Sequence, residues 1–303
     1  MIVSASVRTD IPAFYGEWFR NRFRAGYCLV ANPFSGQYSR VSLRHGVDGF
    51  VFWTRNPGPF LPVLAEVKAA GFPFLIQYTV TGYPQEIETS VIEAERSIAL
   101  IRQLAELYGR RAVVWRYDPI LLSDLTPPDW HIRNFARLAA ELEGAVDEVV
   151  VSFVQNYRKT ARNLAARGRK FSFSWRDPDP EEKTKALARL TDLAAARGMR
   201  LSICSQPELP GEPARCIDAR RLSDLAGHPV PARTKGTRPG CLCAESRDIG
   251  AYESCPHGCA YCYAVNSRAA AKARLRAHDP LAEALILPPE GISPMQEGGG
   301  SLL

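Results

Sequence analysis

Six short apolar runs limit the folds open to this chain more than any other feature of its sequence. Each is rich in Val, Ile, Phe and Tyr and nearly continuous in hydrophobic residues, a pattern typical of strands buried on both faces of a parallel sheet. The sequence therefore predicts six buried strands, at residues 2–6, 48–53, 73–80, 112–117, 147–154 and 199–204.

Helical segments lie between these runs. In residues 88–108 the apolar positions fall on one helical face, with a start near Thr89 or Ser90 and an end at Gly109. Alternating strands and helices build right-handed units around a parallel sheet. We therefore expect an α/β fold, specifically a partial TIM-like (β/α)6 barrel. Its helices are predicted at residues 12–26, 59–70, 88–108, 129–143 and 181–197.

The composition changes after the sixth run. A stretch rich in Pro and Gly at 205–213 ends the barrel-like core of residues 1–204, and the segment that follows is rich in cysteine. We expect residues 205–280 to form a C-terminal extension that folds over the mouth of the barrel and contains a basic helix at 264–278. Residues 281–303, which include a run of glycines, are predicted to be disordered.

Net charge and hydropathy limit the partners and the cellular compartment expected of this protein. The net charge of +6 is spread along the chain, so it permits anionic or nucleic-acid partners without demanding them. No apolar stretch approaches the roughly 20 residues of a membrane span, and the N-terminus does not resemble a signal peptide. We expect a cytoplasmic protein with no membrane contact. In that reducing compartment, the eight cysteines are more typical of metal ligands or reactive thiols than of disulfides.

Three of these cysteines lie in one short segment, ESCPHGCAYCYA, which we call the cysteine loop. Cys255, Cys259 and Cys262 are spaced C-x-x-x-C-x-x-C, with Tyr261 directly before the last of them. Three thiolates can bind three irons of a [4Fe–4S] cluster and leave the fourth iron open to another ligand. Zinc held by the three thiols and His257 is the alternative, although His257 would form a crowded chelate between two of them.

The cysteine loop resembles the cluster motif of radical S-adenosylmethionine enzymes, and other segments extend the resemblance. Over residues 1–266 the chain resembles the DUF1848 family, bacterial proteins with a C-terminal cysteine cluster like the one that radical S-adenosylmethionine enzymes carry near the N-terminus. The segments "WTRNP" and "WRYDP" are also similar, more weakly, to the spore photoproduct lyase group. The resemblance to DUF1848 rests on "MIVSASVRTDIPAFY", "VFWTRNPGPFLP", "QYTVTGY", "VVWRYDPILL" and "CLCAESRDIGAYESCPHGCAYCYA".

This resemblance implies a radical S-adenosylmethionine enzyme with an unidentified substrate. A [4Fe–4S] cluster on the loop cysteines would bind S-adenosylmethionine and cleave it to a 5′-deoxyadenosyl radical, and Tyr261 would pack near the adenine. The implied partners are an electron donor such as flavodoxin or ferredoxin, and a substrate that is a small molecule in preference to a nucleic acid. The alternative is an iron–sulfur or zinc protein with a structural, redox-sensing or nucleic-acid-binding role.

Polar residues follow the carboxyl ends of the first four predicted strands, where barrel enzymes build their active sites. We expect Arg116 and Asp118 to be catalytic, although they could simply pair with each other. For the other residues the alternative is an ordinary salt bridge or a helix cap. The residues expected to bind the cofactor, together with Tyr261, are Arg8, Asp10, Thr54, Arg55, Asn56, Gln77 and Tyr78.

A second set of cysteines is dispersed along the chain, and we call it the four-cysteine group. It comprises Cys204, Cys216, Cys241 and Cys243. Four thiolates complete the ligand set of an auxiliary [4Fe–4S] cluster, which is the first expectation. A structural zinc site with four thiolate ligands and buried thiols without a ligand remain open as alternatives. Cys28 stands apart and is expected to pack as a small hydrophobic residue.

Overall fold

A parallel sheet of eight strands lies at the centre of the computed structural model, which describes residues 1–286. The order of its strands is β11-β10-β8-β6-β5-β4-β1-β12, and the other four strands form two short antiparallel pairs, β2 with β3 and β7 with β9. In chain order the strands are β1 (Ile2–Ala5), β2 (Tyr27–Ala31), β3 (Tyr38–Ser42), β4 (Gly49–Thr54), β5 (Phe74–Thr79), β6 (Val113–Ile120), β7 (Leu122–Ser123), β8 (Glu148–Phe153), β9 (Trp175–Arg176), β10 (Arg200–Ile203), β11 (Glu212–Pro213) and β12 (Ser246–Asp248).

All six predicted strands are present, as β1, β4, β5, β6, β8 and β10, and they are neighbours in that order. The prediction of an α/β fold with a parallel sheet is therefore confirmed. The C-terminal extension adds the two edge strands, because β11 pairs with β10 and β12 pairs with β1, aligning Ile2 with Ser246. Within residues 1–286 no ladder joins β11 to β12, so the sheet has two free edges and is not a closed barrel.

Helices follow most of the central strands, as the alternating pattern predicts. The predicted first helix is divided at Tyr15 into two, and it ends where Gly26 adopts a left-handed conformation with φ of 84°. Two helices were not predicted, one after β8 and one after β11. The helices are α1 (Ile11–Phe14), α2 (Gly16–Ala25), α3 (Leu61–Ala69), α4 (Ala94–Tyr108), α5 (Pro128–Leu142), α6 (Arg158–Phe171), α7 (Pro180–Ala195), α8 (Ala219–Ala226) and α9 (Arg268–Arg276).

The start of α4 differs from its prediction, which placed it near Thr89. Residues 84–93 instead form turns and an extended segment whose backbone groups bond elsewhere. The carbonyl of Ile87 accepts a hydrogen bond from the amide of Ala260 at 2.8 Å, and the amide of Ser90 donates to the carbonyl of His257 at 3.1 Å, so this segment is bonded to the cysteine loop. Local periodicity predicted a helix here, but a contact with a distant segment overrides it.

The two faces of the sheet are buried against different parts of the chain. Alternate strand residues, among them Phe52, Ile76 and Trp115, pack against α2 to α5 and α7 in the larger apolar cluster. The residues between them pack in a second cluster with α8 and most of the four-cysteine group, and these include Leu75 and Val114. Because successive side chains of a strand point to opposite faces, one strand serves both clusters. The extension, which includes α8, therefore covers the face that α2 to α5 and α7 leave open.

The end of the described chain lies against the body of the protein. Ala284 and Leu285 are buried, and the carbonyl of Glu283 accepts a hydrogen bond from the amide of Leu29 at 2.9 Å. The prediction of a disordered tail over 281–303 falls, from residue 287 onward, outside the described residues. None of the helices within residues 1–286 has the length and hydrophobicity needed to cross a membrane.

Candidate functional site

The cysteine loop, residues 253–264, lies across the carboxyl ends of the sheet strands. Its backbone bonds to the segment that follows β5. The amide of Ala260 donates to the carbonyl of Ile87 at 2.8 Å, and the carbonyl of His257 accepts from the amide of Ser90 at 3.1 Å. These bonds fix the loop at the carboxyl ends of the parallel strands, where α/β proteins bind their ligands.

The three loop thiols are half-buried and close enough to interact electrostatically. Burial raises the pKa of the Cys255 thiol well above its ordinary value, and the charges of Asp10, Cys259 and Cys262 raise it further. Burial also raises the pKa of Cys259 to about 12. Such thiols stay protonated until a cation binds, because a metal ion deprotonates the thiols that coordinate it. Within residues 1–286, no three or more Cys, His, Asp or Glu side chains are already arranged to hold a metal ion.

Asp10 connects the loop to the end of the first strand. Its Oδ2 atom accepts a hydrogen bond from the amide of Arg55 at 2.8 Å and lies 2.8 Å from Nε2 of His257. Its Oδ1 atom caps α1 by accepting from the amide of Ala13 at 2.9 Å. The other ring nitrogen of His257, Nδ1, lies 3.1 Å from the carbonyl oxygen of Ser90. Both ring nitrogens of His257 therefore already have a hydrogen-bond partner in the protein, which competes with coordination of a metal ion.

A buried ion pair lies beside Tyr261. Nη1 of Arg55, which follows β4, is 2.8 Å from Oε1 of Glu88, which follows β5. The hydroxyl of Tyr261 donates to Glu88 and accepts from Arg55, and the hydroxyl of Thr81 donates to Glu88 at 2.8 Å. Two predicted cofactor residues, Arg55 and Tyr261, are therefore brought into direct contact. Arg55 and Glu88 stabilise each other, because loss of either would leave an uncompensated charge in the interior.

Other predicted strand-end residues have different surroundings. Nε of Arg8 donates to Asp248 at 2.9 Å, which joins the segment after β1 to the edge strand β12. The hydroxyl of Thr54 accepts from the amide of Asn56 at 2.9 Å and so forms a tight turn after β4. Tyr78 lies in the cluster that faces the helices, away from the four-cysteine group.

Gln77 and the predicted catalytic pair lie on the opposite face of the sheet. Nε2 of Gln77 donates to the carbonyl of Cys216 at 2.7 Å. Nη1 of Arg116 donates to the sulfur of Cys216 at 3.0 Å, and its Nη2 donates to Asp118 at 2.5 Å. The hydroxyl of Ser152 also donates to Asp118. Arg116 and Asp118 are therefore a close ion pair in contact with the four-cysteine group.

The tertiary structure brings the four-cysteine group together. Cys204 follows β10, Cys216 follows β11, and the remaining two precede β12. The sulfurs of Cys204 and Cys216 are 3.6 Å apart. A hydrogen bond from the Cys243 thiol lowers the pKa of Cys241 to about 5, because it stabilises the thiolate. Cys241 is half-exposed, whereas the other three cysteines are buried.

Arg238 lies between the two sets of cysteines. Its Nη2 atom donates to the sulfur of Cys204 at 3.2 Å. Burial raises the pKa of Tyr263, which follows Cys262 in the cysteine loop, and the Arg238 guanidinium offsets part of that rise. The two sets of cysteines therefore border one shared region of the molecule.

The sequence matches the family described as "Domain of unknown function (DUF1848)" over residues 2–264. The chain belongs to this family. The DUF1848 match begins at β1 and ends with the cysteine loop, so it spans the sheet and both sets of cysteines. No curated protein matches the chain.

Three charged residues of this DUF1848 site, Glu88, Arg238 and Asp248, have no local sequence signal. Glu88 falls inside a segment whose periodicity predicts a helix, and Asp248 pairs with Arg8 from the opposite end of the chain. Ion pairs between distant segments cannot be found from spacing. Glu88 and Asp248 stand out only because their arginine partners, the buried Arg55 and the half-buried Arg8, need a counter-charge.

Proposed function

We propose that this DUF1848 protein is a radical S-adenosylmethionine enzyme whose [4Fe–4S] cluster is held by Cys255, Cys259 and Cys262. When bound, the cluster would supply both an iron without a protein ligand, which S-adenosylmethionine would chelate, and the electron that would cleave S-adenosylmethionine to a 5′-deoxyadenosyl radical. The observation that carries the proposal is that both ring nitrogens of His257 are engaged with acceptors. Three thiols without that histidine suit a cluster with an open iron better than structural zinc, which takes four protein ligands.

The position of the cysteine loop supports the same function. We infer that the open sheet is an incomplete barrel and that the loop covers its mouth. The loop bonds to the segments that follow β1, β4 and β5, so its thiols lie where enzymes of this architecture bind substrates and cofactors. Their partial exposure leaves a path for electrons from a small redox protein of the ferredoxin or flavodoxin type.

Two buried polar atoms near the loop have no hydrogen-bond partner within the described part of the chain. They are the hydroxyl of Thr9 and Nη1 of Arg55, which is close to Glu88 but not aligned for a hydrogen bond. Buried polar groups are nearly always satisfied in proteins. We assign these two donors to the polar groups of bound S-adenosylmethionine.

Other residues orient the loop and the substrate. The Arg55–Glu88 ion pair and the contact between His257 and Asp10 hold the loop in one position and exclude water beneath it. Arg116 and Asp118 are charged and face the region that Arg238 shares with the loop. We assign them to binding the polar part of the substrate, since burial of an ion pair strengthens its hydrogen bonds to a ligand.

Anaerobic reconstitution tests this function. The purified protein is supplied with iron and sulfide, reduced chemically, and examined by EPR with and without S-adenosylmethionine, while 5′-deoxyadenosine is measured as the product. We expect a [4Fe–4S] signal that S-adenosylmethionine perturbs, and formation of 5′-deoxyadenosine. The triple variant Cys255→Ala/Cys259→Ala/Cys262→Ala should lose both, whereas Cys28→Ala, a cysteine outside both sets, should behave as wild type.

Three results would overturn the proposal. The first is that no cluster forms, and the second is that the same signal persists in the triple variant. The third is a cluster whose EPR spectrum does not respond to S-adenosylmethionine, which would favour a structural or redox-sensing iron–sulfur protein.

A further inference from the structure

We propose that the four-cysteine group binds a single tetrahedral metal ion of the zinc type, and that this ion links the two edges of the open sheet. The ligands are Cys204, Cys216, Cys241 and Cys243. This site does not depend on the cluster of the cysteine loop or on the radical chemistry proposed for it.

The four cysteine side chains and that of Ser205 form a ring of contacts. The Cys216 sulfur touches that of Cys204 at 3.6 Å and also contacts Cys243, which in turn contacts Cys241. Ser205 completes the ring, because its hydroxyl lies 3.7 Å from the Cys204 sulfur and bonds to the Cys241 thiol. Within the described residues these side chains are not already arranged to hold a metal ion. Rotation of the cysteine side chains is therefore the movement that metal binding requires.

The spacing of the sulfurs favours one ion over a cluster. Zinc–sulfur bonds of about 2.3 Å in a tetrahedron place the ligand sulfurs about 3.8 Å apart. The Cys204–Cys216 distance of 3.6 Å is close to that value. In a [4Fe–4S] cluster each thiolate binds a different iron, so the ligand sulfurs stand farther apart. The auxiliary [4Fe–4S] cluster expected from the sequence would need this pair to separate.

The surroundings suit the charge of a metal–thiolate centre. Four thiolates around a divalent ion leave two excess negative charges. Two guanidinium groups donate to the sulfurs, Arg116 to Cys216 at 3.0 Å and Arg238 to Cys204 at 3.2 Å. The backbone amide of Ile217 donates to the sulfur of a third ligand at 3.4 Å. Donors of this kind hold ligand thiolates in position and tune the metal that they bind.

The positions of the four cysteines along the chain indicate a structural role for the ion. Cys204 and Cys216 follow β10 and β11 at one edge of the sheet, while Cys241 and Cys243 precede β12 at the other edge. Among residues 1–286, only one backbone hydrogen bond near the ring joins the same two segments. It runs from the amide of Ala244 to the carbonyl of Ile217 at 2.9 Å. A metal ion would therefore cross-link two edges that no strand ladder joins within the described chain.

The variant that lacks the three thiols of the cysteine loop, called the loop triple variant, allows the metal content of this site to be measured in the absence of the proposed loop cluster. In the Cys255→Ala/Cys259→Ala/Cys262→Ala protein, the only remaining thiols are Cys28 and the four-cysteine group. We expect one zinc per chain and no acid-labile sulfide in protein from cells grown with both iron and zinc. Replacement by Co²⁺ should give the visible absorption of a tetrahedral thiolate site. Adding Cys216→Ser should abolish metal binding, and adding Cys28→Ala should leave it unchanged.

A second measurement does not require that the Cys216→Ser protein folds. The loop triple variant is alkylated before and after treatment with a strong chelator, and each cysteine is followed by mass spectrometry. We expect chelation to increase the modification of Cys241, the half-exposed ligand, several-fold.

Either of two results would overturn the proposal. Iron together with acid-labile sulfide in the loop triple variant would show that the group holds an iron–sulfur cluster. The absence of tightly bound metal, with alkylation unaffected by the chelator, would show that the four thiols are unliganded. Since this variant lacks the loop cysteines, neither result bears on the radical chemistry.

Discussion

The two sets of cysteines differ in how they are assembled. In the cysteine loop, three thiols lie within eight residues, are half-buried, and are fixed by bonds from the loop to the segments that follow β1, β4 and β5. In the four-cysteine group, thiols from three separate segments meet inside the molecule, against the face of the sheet that α2 to α5 and α7 do not cover. The first set is positioned by its surroundings, whereas the second, with the metal ion proposed for it, would help to position the segments around it.

This difference matches different tasks. A short loop with partial exposure suits chemistry that needs a cofactor, a substrate and an electron donor to approach. Ligands from distant segments suit a structural role, because the binding free energy of the metal then contributes to folding. Loss of the loop thiols should therefore affect activity most, and loss of the buried thiols should affect stability most.

The largest effect on stability is expected from Cys216→Ser. If free metal stands about a thousandfold above its dissociation constant, loss of binding lowers the free energy of unfolding by about 4 kcal/mol. Denaturant unfolding in zinc-containing buffer measures this change. Cys259→Ser, in the cysteine loop, is the matched control and should have a clearly smaller effect. If the control lost more stability than Cys216→Ser, the assignment of roles to the two sets would be reversed.

The next largest effect is expected from Glu88→Gln, which leaves Arg55 without its buried counter-charge. Breaking a buried ion pair on one side costs about 3 kcal/mol or more. We expect this loss in unfolding experiments, with faster amide hydrogen exchange in the cysteine loop.

The control for Glu88→Gln is Glu66→Gln. Glu66 pairs with Arg20 and Arg24 at the surface, so its loss should cost less than about 1 kcal/mol. Equal effects of the two substitutions would mean that the buried pair does not hold the loop.

Tyr261→Phe separates the hydroxyl of this residue from its ring. The hydroxyl bonds to Glu88 and Arg55, so its removal should lower the free energy of unfolding by about 1–2 kcal/mol. The ring remains, and binding of S-adenosylmethionine should therefore stay as in wild type, as measured by equilibrium titration. Loss of binding at unchanged stability would place the hydroxyl on the cofactor instead.

The smallest effect is expected from Cys28→Ala. Cys28 is buried, and burial raises its pKa to about 12 despite the opposing charge of Arg22. Removing its sulfur leaves a small cavity that costs about 1 kcal/mol. Metal and sulfide content should not change. A change in either, by elemental analysis, would mean that a third thiol site had been overlooked.

The sequence predicted the central strands well because each carries its own signal. Runs buried on both faces are nearly continuous in apolar residues, and β4, β5, β6 and β8 lie within a few residues of their predicted bounds. The helix α6 was not predicted, because few of its residues are apolar and its buried residues are only Thr160 and Leu164. The edge strands β11 and β12 are too short for any periodicity.

The candidate site was predictable to the extent that its chemistry is local. The spacing of the loop cysteines is a sequence pattern, and so is the position of Asp10 and Arg55 after apolar strands. The partners of these residues were not predictable, because Glu88 and His257 reach them across segments far apart in the chain. Gln77 and Tyr78 are a different case. They are successive residues of one strand and point to opposite faces of the sheet, so they could not both face the same site.

By itself, the sequence determined the α/β sheet and the three-thiol loop, because hydrophobic runs and ligand spacing are properties of contiguous residues. Only the tertiary structure decided that the C-terminal extension supplies both edge strands of the sheet. It also decided that His257 is engaged by Asp10 and that the four dispersed cysteines meet in one ring. Those features depend on contacts between distant segments, which form only when burial of the apolar surfaces has brought the segments together.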